Sequence, residues 1–408
     1  MKQFGKPPIS SSARPTPRRF SFQRRLLANF LAVLLALLPS VLFTGCWDYR
    51  EVENLNIVGG VAVDKGQNGY RYHVTFECLK MTGDVKSGGV QPLIIETDGN
   101  TIFEAVRSAL NESDRKLYFS HIKILILSSD IAKEGILPVL DWFNRDAEPR
   151  ISLQILISKE KTAGELLKLK PESSQLTSFQ ISQALLEATS NLASVNQVRL
   201  FEVYNVLNSQ DGTSLTLPGI EAKKEGDVSV PQLSGNAVFS GDRLIGWLDK
   251  QSSKFLMFIL GKVHGGLLLT GVHPNDSSVT LEIMTCKTSV KPIVSGKTIT
   301  MKIDVSLNAA YAEQNTRKNF LDIYPLKTFE TSASQTLKDG IENVIDLAQQ
   351  QYSTDIFGFG SKVYQNYPKV WNGLRTDWNK TFPTVKYDVT TKVTIRNTAT
   401  TAGQKGAQ

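Results

Sequence analysis

Alternation of apolar and polar positions marks strands along this chain, and recurrence at three and four residues marks helices. The segment 56–64 reads as a strand and 64–70 as a turn containing glycine. Tyr70, Tyr72, Val74, Phe76 and Cys78 then alternate with Arg71, His73, Thr75 and Glu77. That period of two predicts one buried face carrying Cys78 and one wet face carrying His73. Thr101-Ile102-Phe103-Glu104 has the form of a capping box and predicts a helix to about residue 110. The compact apolar runs 122–127 and 151–157 fit interior strands, with a helix over 131–145 between them, reset at Pro138. Thr162-Ala163-Gly164-Glu165 and Thr177-Ser178-Phe179-Gln180 repeat the capping-box pattern. The first of these helices is expected to stop at Lys170-Pro171, because proline disfavours helical geometry in the residue before it.

Further on, 206–278 is richer in Gly, Ser and Pro, with short strand-like pieces at 236–240 and 243–248. The last region alternates again: Val279, Leu281 and Ile283; Ile299, Met301, Ile303, Val305 and Leu307; Val385, Tyr387, Val389, Val393 and Ile395. Leu326, Phe329, Ala333, Leu337, Ile341, Val344, Ile345 and Ala348 recur at helical spacing and supply a cover for those one-sided strands. The fold expected is mixed, α+β and α/β, and multidomain. An N-terminal α/β domain spans 46–205, a small mainly-β middle domain 206–278, and a C-terminal antiparallel sheet with helices on one face 279–396. A frayed tail is expected over 397–408.

The start of the chain follows another pattern. Residues 1–25 hold Lys2, Lys6, Arg14, Arg18, Arg19, Arg24 and Arg25 and no acidic residue. An apolar segment, 26–38, is broken by Pro39 and falls short of the ~20 apolar residues a membrane-spanning helix needs. It leads into Phe43-Thr44-Gly45-Cys46, where small residues precede a cysteine and the sequence turns polar at once. This is the layout of a bacterial lipoprotein signal, 1–45, cut between Gly45 and Cys46, with diacylglyceryl on the Cys46 sulfur. Phe43 departs from the aliphatic residue usual at that place. The mature chain is then expected to have no span of its own and to be held by lipid, since two acyl chains anchor stably where one does not. Trp47 and Tyr49, just past the lipid, are candidates for the membrane interface, where aromatic rings lie at headgroup depth.

The formal charge of +7 belongs to this leader: removing its seven basic residues from the 46 leaves 39, matched by 39 Asp and Glu. A neutral mature chain argues against nucleic acid as partner. Cys78 and Cys286 cannot build a disulfide framework and are expected unpaired. His73, His121, His264 and His273 show no metal-ligand spacing, so no metal or other cofactor is expected. Ser295-Gly296-Lys297-Thr298 resembles the end of a phosphate loop, but Lys291 stands where that pattern needs glycine, and it reads as a hairpin turn. In Gly358-Phe359-Gly360-Ser361 the serine does not lie between the glycines, so it is no nucleophile elbow. The glycines at 261–266 read as tight turning. Core packing is the expected role of Phe357 and Phe359. No catalytic residue is proposed.

The chain resembles the Ger(x)C lipoproteins, the C subunits of spore germination receptors. The resemblance rests on Gly45-Cys46-Trp47-Asp48, Arg50-Glu51 and Ile57-Val58-Gly59-Gly60-Val61-Ala62-Val63-Asp64. It continues in Leu217-Pro218-Gly219, Gly235-Asn236-Ala237-Val238-Phe239, and Gly241-Asp242-Arg243-Leu244-Ile245-Gly246-Trp247-Leu248. It ends in Tyr352-Ser353-Thr354-Asp355-Ile356-Phe357-Gly358-Phe359-Gly360 and the stretch 367–378. The long basic leader and Tyr49 depart from the family pattern. The resemblance implies three domains, anchorage on the outer face of the inner spore membrane, and assembly with an integral A subunit and a transporter-like B subunit. It implies complexes that sense small nutrients and no catalytic residues; direct nutrient binding by this subunit is left open. The alternative function is a solute-binding lipoprotein that delivers a small ligand to a transporter.

Overall fold

A computed structural model describes residues 20–42, 54–81, 90–169, 176–273, 278–315 and 324–398. The chain divides into two units, 1–52 and 53–408. In the first, one helix is described, α1 (Phe20–Leu42). Pro39, which interrupts the apolar segment in the sequence, lies within this helix. Among the described residues no helix is long and apolar enough to cross a membrane.

The second unit opens with β1 (Leu55–Lys65), β2 (Tyr72–Met81), β3 (Val90–Gly99), α2 (Ile102–Glu112), β4 (Lys116–Tyr118) and β5 (Ile124–Ser128). Next come α3 (Ser129–Glu134), α4 (Leu137–Arg145), β6 (Gln154–Ser158), α5 (Gly164–Lys168), α6 (Thr177–Glu187) and α7 (Leu200–Asn208). Then follow β7 (Thr216–Glu225), β8 (Val228–Ser240), β9 (Arg243–Leu248), α8 (Lys250–Ile259) and β10 (Leu267–Thr270). The chain ends through β11 (Val279–Ser295), β12 (Thr298–Gln314), α9 (Leu326–Leu347), α10 (Phe359–Asn366), α11 (Pro368–Leu374), α12 (Trp378–Thr381) and β13 (Lys386–Thr398).

The first sheet runs in the order β3-β2-β1-β5-β6-β7-β8-β9, with β4 also on β1. Its centre is parallel, β1 to β5 to β6 to β7, and both flanks are antiparallel hairpins. Helices α2, α3, α4 and α7 cover one face, where Val61, Phe76, Leu125 and Ile155 meet Ala105, Val139, Phe143 and Val203. Helices α5 and α6 cover the other, where Ala62, Ile126 and Leu156 meet Leu166, Ile181 and Leu185. A parallel centre wrapped on both sides explains why β5 is buried at every position. The same wrapping corrects the face expected to be wet on β2, since Thr75 and Glu77 are buried along with Val74 and Phe76. Tyr70, expected inside, precedes the strand and is exposed. The helix expected at 131–145 is two, parted by Gly135 at φ +126°, with Pro138 in the first turn of α4.

The region 206–278 is mainly β, and its strands β7–β9 extend the first sheet through β6. The second sheet has the order β10-β11-β12-β13. Its first three strands are antiparallel; β13 joins parallel to β12 because the helices α9–α12 carry the chain back across one face. The β11–β12 hairpin turns on Gly296 at φ +61°, as expected for 295–298. One core joins Leu281, Met301, Ile303 and Val389 of this sheet to Leu337, Ile341 and Val344 of α9 and to Phe255 and Phe258 of α8. Gly340 lies where any Cβ would overlap the Phe255 ring, so α9 and α8 touch nearly backbone to ring.

Candidate functional site

Two buried acids organise one face of the first sheet. Asp64, near the end of β1, accepts the Ala163 N–H at 2.6 Å on Oδ1 and the Gly164 N–H at 2.9 Å on Oδ2. Glu77 of β2 accepts the Thr177 N–H on Oε1 and the Ser178 N–H on Oε2, each at 2.7 Å. Each carboxylate therefore caps a helix that lies about a hundred residues further along the chain. The orphan N–H groups and partial positive charge of a helix start are met by an anion from the sheet. Burial pushes both carboxyls above their ordinary values, and the N–H bonds pull against it. This corrects two of the three expected capping boxes: Ala163 and Leu176 occupy the N-caps and no local side chain caps either helix. The third forms in part. Thr101 accepts the Glu104 N–H at 3.1 Å, but the Glu104 carboxylate takes the Asn100 N–H at 2.8 Å. Gly59 and Gly60 lie directly under α6, where a Cβ would meet Leu176 and Ser178. The run Ile57–Asp64 is thus the seat of α5 and α6.

A third buried acid, Asp355, organises the C-terminal helices. It accepts from Phe357 N (3.1 Å), Phe359 N (3.1 Å), Gly360 N (2.7 Å) and the Trp378 indole N–H (3.0 Å). Burial pushes its carboxyl up to about 6, against the pull of these four donors. Phe357 and Phe359 are buried, as core packing requires. Around the acid, Trp371 and Trp378 meet edge to face at 5.2 Å, and Gly212 and Gly360 leave room for the two indoles. The backbone carbonyl of Asp355 accepts the Ser214 N–H at 2.8 Å, and Gln210 O accepts the Trp371 indole N–H at 3.2 Å. Nearby, the Tyr352 hydroxyl donates to Trp247 O at 2.8 Å across a gap that Gly246 keeps open. The stretches 241–248 and 352–360 therefore meet, joining the first sheet to the C-terminal helices.

On the surface, His73 lies between Asp98 (2.9 Å) and Glu96 (3.2 Å), and Lys168 reaches Glu96 at 2.8 Å. Burial pulls the imidazole down, but the hydrogen bonds and charges of Asp98 and Glu96 outweigh it and raise its pKa. Cys78 and Cys286 are free thiols, pushed up by burial to about 12 and about 11, which keeps them protonated and poorly nucleophilic. Among the described residues no three His, Cys, Asp or Glu side chains stand where they could hold a metal ion. The acids with raised pKa values have their oxygens taken by N–H donors, so their geometry is that of caps.

Gly45, Cys46, Trp47 and Tyr49 lie outside the described residues. The sequence reading missed the acids Asp64, Glu77 and Asp355 as functional parts of the scaffold. Its signal for Glu77 was present, a lone acid in an apolar strand, but alternation assigned it to water.

Two family models match: the spore germination protein N-terminal domain over residues 48–222, and the spore germination B3/GerAC-like C-terminal domain over 234–399. The chain is similar to spore germination protein YndF of Bacillus subtilis strain 168, 25% identical over 93% of this chain and 99% of the relative. It is also similar to that organism's spore germination protein B3, 25% identical over 86% of this chain and 93% of the relative. Spore germination protein KC, again from B. subtilis, is 23% identical over 91% of this chain and 97% of its own length. The crystal structure of the GerBC protein shares the fold with a TM-score of 0.54 at 18% identity, over 85% of this chain and 99% of that one.

Proposed function

Because the chain belongs to the GerAC family of spore germination proteins, we propose that it is the lipid-anchored, non-enzymatic C subunit of a nutrient germinant receptor. The observation that carries this reading is the run of family similarity through both domains, starting two residues past Cys46, where the lipoprotein layout ends. In this reading Cys46 carries the lipid, Trp47 and Tyr49 lie at the headgroups, and the folded unit stands on the outer face of the inner spore membrane. There it holds the integral A and B subunits together, gaining from tethering because confinement raises effective concentration without any new contact. A solute-binding lipoprotein would show two similar lobes about a cleft, whereas the nine-stranded and four-stranded sheets here differ in size and topology.

The test is in spores whose only copy carries Cys46→Ala. Fatty-acid labelling of the protein should vanish, the A and B subunits should co-purify less, and the nutrient response should fall while receptor-independent germination stays normal. Persistent label on the variant would refute the anchor. Calorimetric binding of a nutrient to the purified protein at physiological concentration would favour delivery of a solute instead.

A further inference from the structure

At one end of the first sheet the backbone lays out a row across three parallel strands. The Lys123 N–H donates to Gly59 O at 2.8 Å, the Gln154 N–H to Lys123 O at 3.0 Å, and Gln154 pairs in turn with Arg199. Lys123, Gln154 and Arg199 of this row, with the loop through Arg150 and with Ser182 of α6, line a recess of about 230 Å³. Lys123, Arg150 and Arg199 all line it, all are exposed, and no acidic side chain lines it. None of the three forms an ion pair among the described residues, whereas Lys116, at the same end of the sheet, is held by Glu148 at 2.5 Å. Gln154 adds a second unsatisfied group: its carbonyl Oε1 is buried with no donor. Lys123 lies 6.0 Å over the Phe179 ring, a contact that leaves its charge unneutralised. Three cations on one recess with no acid suit an anionic ligand, and the buried carbonyl beside them suits a ligand that also carries a hydroxyl donor.

The position of the recess indicates the source of that anion. Strands β1, β5 and β6 are parallel, so the recess lies where β5 and β6 begin, level with Gly59 in β1 and on the side of the sheet toward Leu55. Leu55 opens β1 nine residues after Cys46, a tether that spans at most ~30 Å when fully extended. A cationic end on so short a tether stays within reach of the headgroup layer, where each Lys or Arg gains from an anionic surface.

We propose that the recess is a phosphate-binding site and that its ligand is the headgroup of an anionic phospholipid bearing a free hydroxyl, from the leaflet that holds the Cys46 lipid. The lipid source rests on the anchored reading above; phosphate recognition does not. Lys123, Arg150 and Arg199 neutralise the phosphate, Ser182 is placed to donate to it, and the headgroup hydroxyl donates to Gln154 Oε1. Their side chains lie on the surface, so the paired variant Lys123→Gln/Arg150→Gln should keep the fold, which its unfolding midpoint checks.

The experiment has two arms and uses the full chain. In detergent, titration with inorganic phosphate should show saturable binding that weakens roughly tenfold or more in the paired variant. Lys224→Gln, an exposed change at the far end of β7, should leave it unchanged. In nanodiscs, amide exchange at 120–123 and 150–154 should slow when phosphatidylglycerol is added to phosphatidylcholine, and not in the paired variant. Phosphate binding with no protection by phosphatidylglycerol would overturn the lipid assignment in favour of a soluble phosphate compound. Absence of both, or binding equal in the paired variant, would overturn the site. Mass spectrometry of Cys46 separates a failed anchor from a failed recess, because the phosphate arm does not need the lipid.

Discussion

Replacing Trp378 by phenylalanine tests how the C-terminal helices are held. The indole N–H is one of four donors on the buried Asp355 carboxylate and reaches Oδ2 at 3.0 Å. A hydrogen bond to a charged group contributes ~1.5–3 kcal/mol, and trimming a buried ring adds ~1 kcal/mol from lost packing. The two parts separate by pH. The Asp355 carboxyl is raised from 3.8 to about 6 on folding, so its proton uptake contributes stability fully below pH 3.8 and loses it as pH rises through about 6. The Trp378 N–H favours the charged form. Its removal raises the carboxyl further and makes that loss larger. In Trp378→Phe the deficit should therefore be ~1 kcal/mol near pH 5, where the carboxyl is largely protonated, and ~2–4 kcal/mol at pH 7.5. Urea unfolding followed by circular dichroism, at half-unit steps between those limits, reads both values. A deficit that stays flat with pH, or shrinks as pH rises, would refute the role given to Asp355 as an ionised anchor.

Gly340→Ala should destabilise by ~1–3 kcal/mol, since the new methyl overlaps the Phe255 ring and overpacking outweighs the better helix propensity. Gly373→Ala, in α11 with open space around it, should instead stabilise by up to ~1 kcal/mol; equal effects in thermal unfolding would contradict the close α8–α9 contact. The folded-state pKa of His73 is raised, so the stability it contributes is full below its unfolded value and is lost as pH rises through the folded one. With its side chain 33% exposed, His73→Gln should cost only ~0.5 kcal/mol at pH 5.5 and less at pH 8.5, and a cost that grows with pH would reverse the assignment. A fragment starting at residue 53 should fold alone and without metal, because all three cores lie wholly beyond that point; unfolding on addition of a chelator would show otherwise.

Periodicity alone determined most of the elements. The one-sided strands at 279–283, 299–307 and 385–395 and the helix over 326–348 were legible because each buries one face against a layer supplied by its own region, and such a face repeats at two or near 3.6 residues. The family stretches were also present in the sequence itself. Three features came only from the tertiary structure. Glu77 and Thr75 are buried because α5 and α6 close over the second face of β2, and a strand covered on both sides has no wet face for alternation to report. The caps of α5 and α6 come from Asp64 and Glu77, a hundred residues away, because a buried carboxylate needs N–H donors and a buried helix start needs an acceptor; chain spacing holds no trace of that pairing. The direction of β13 depended on the helices ahead of it crossing the sheet, which sets parallel pairing with β12 where the strand's own residues fit either sense.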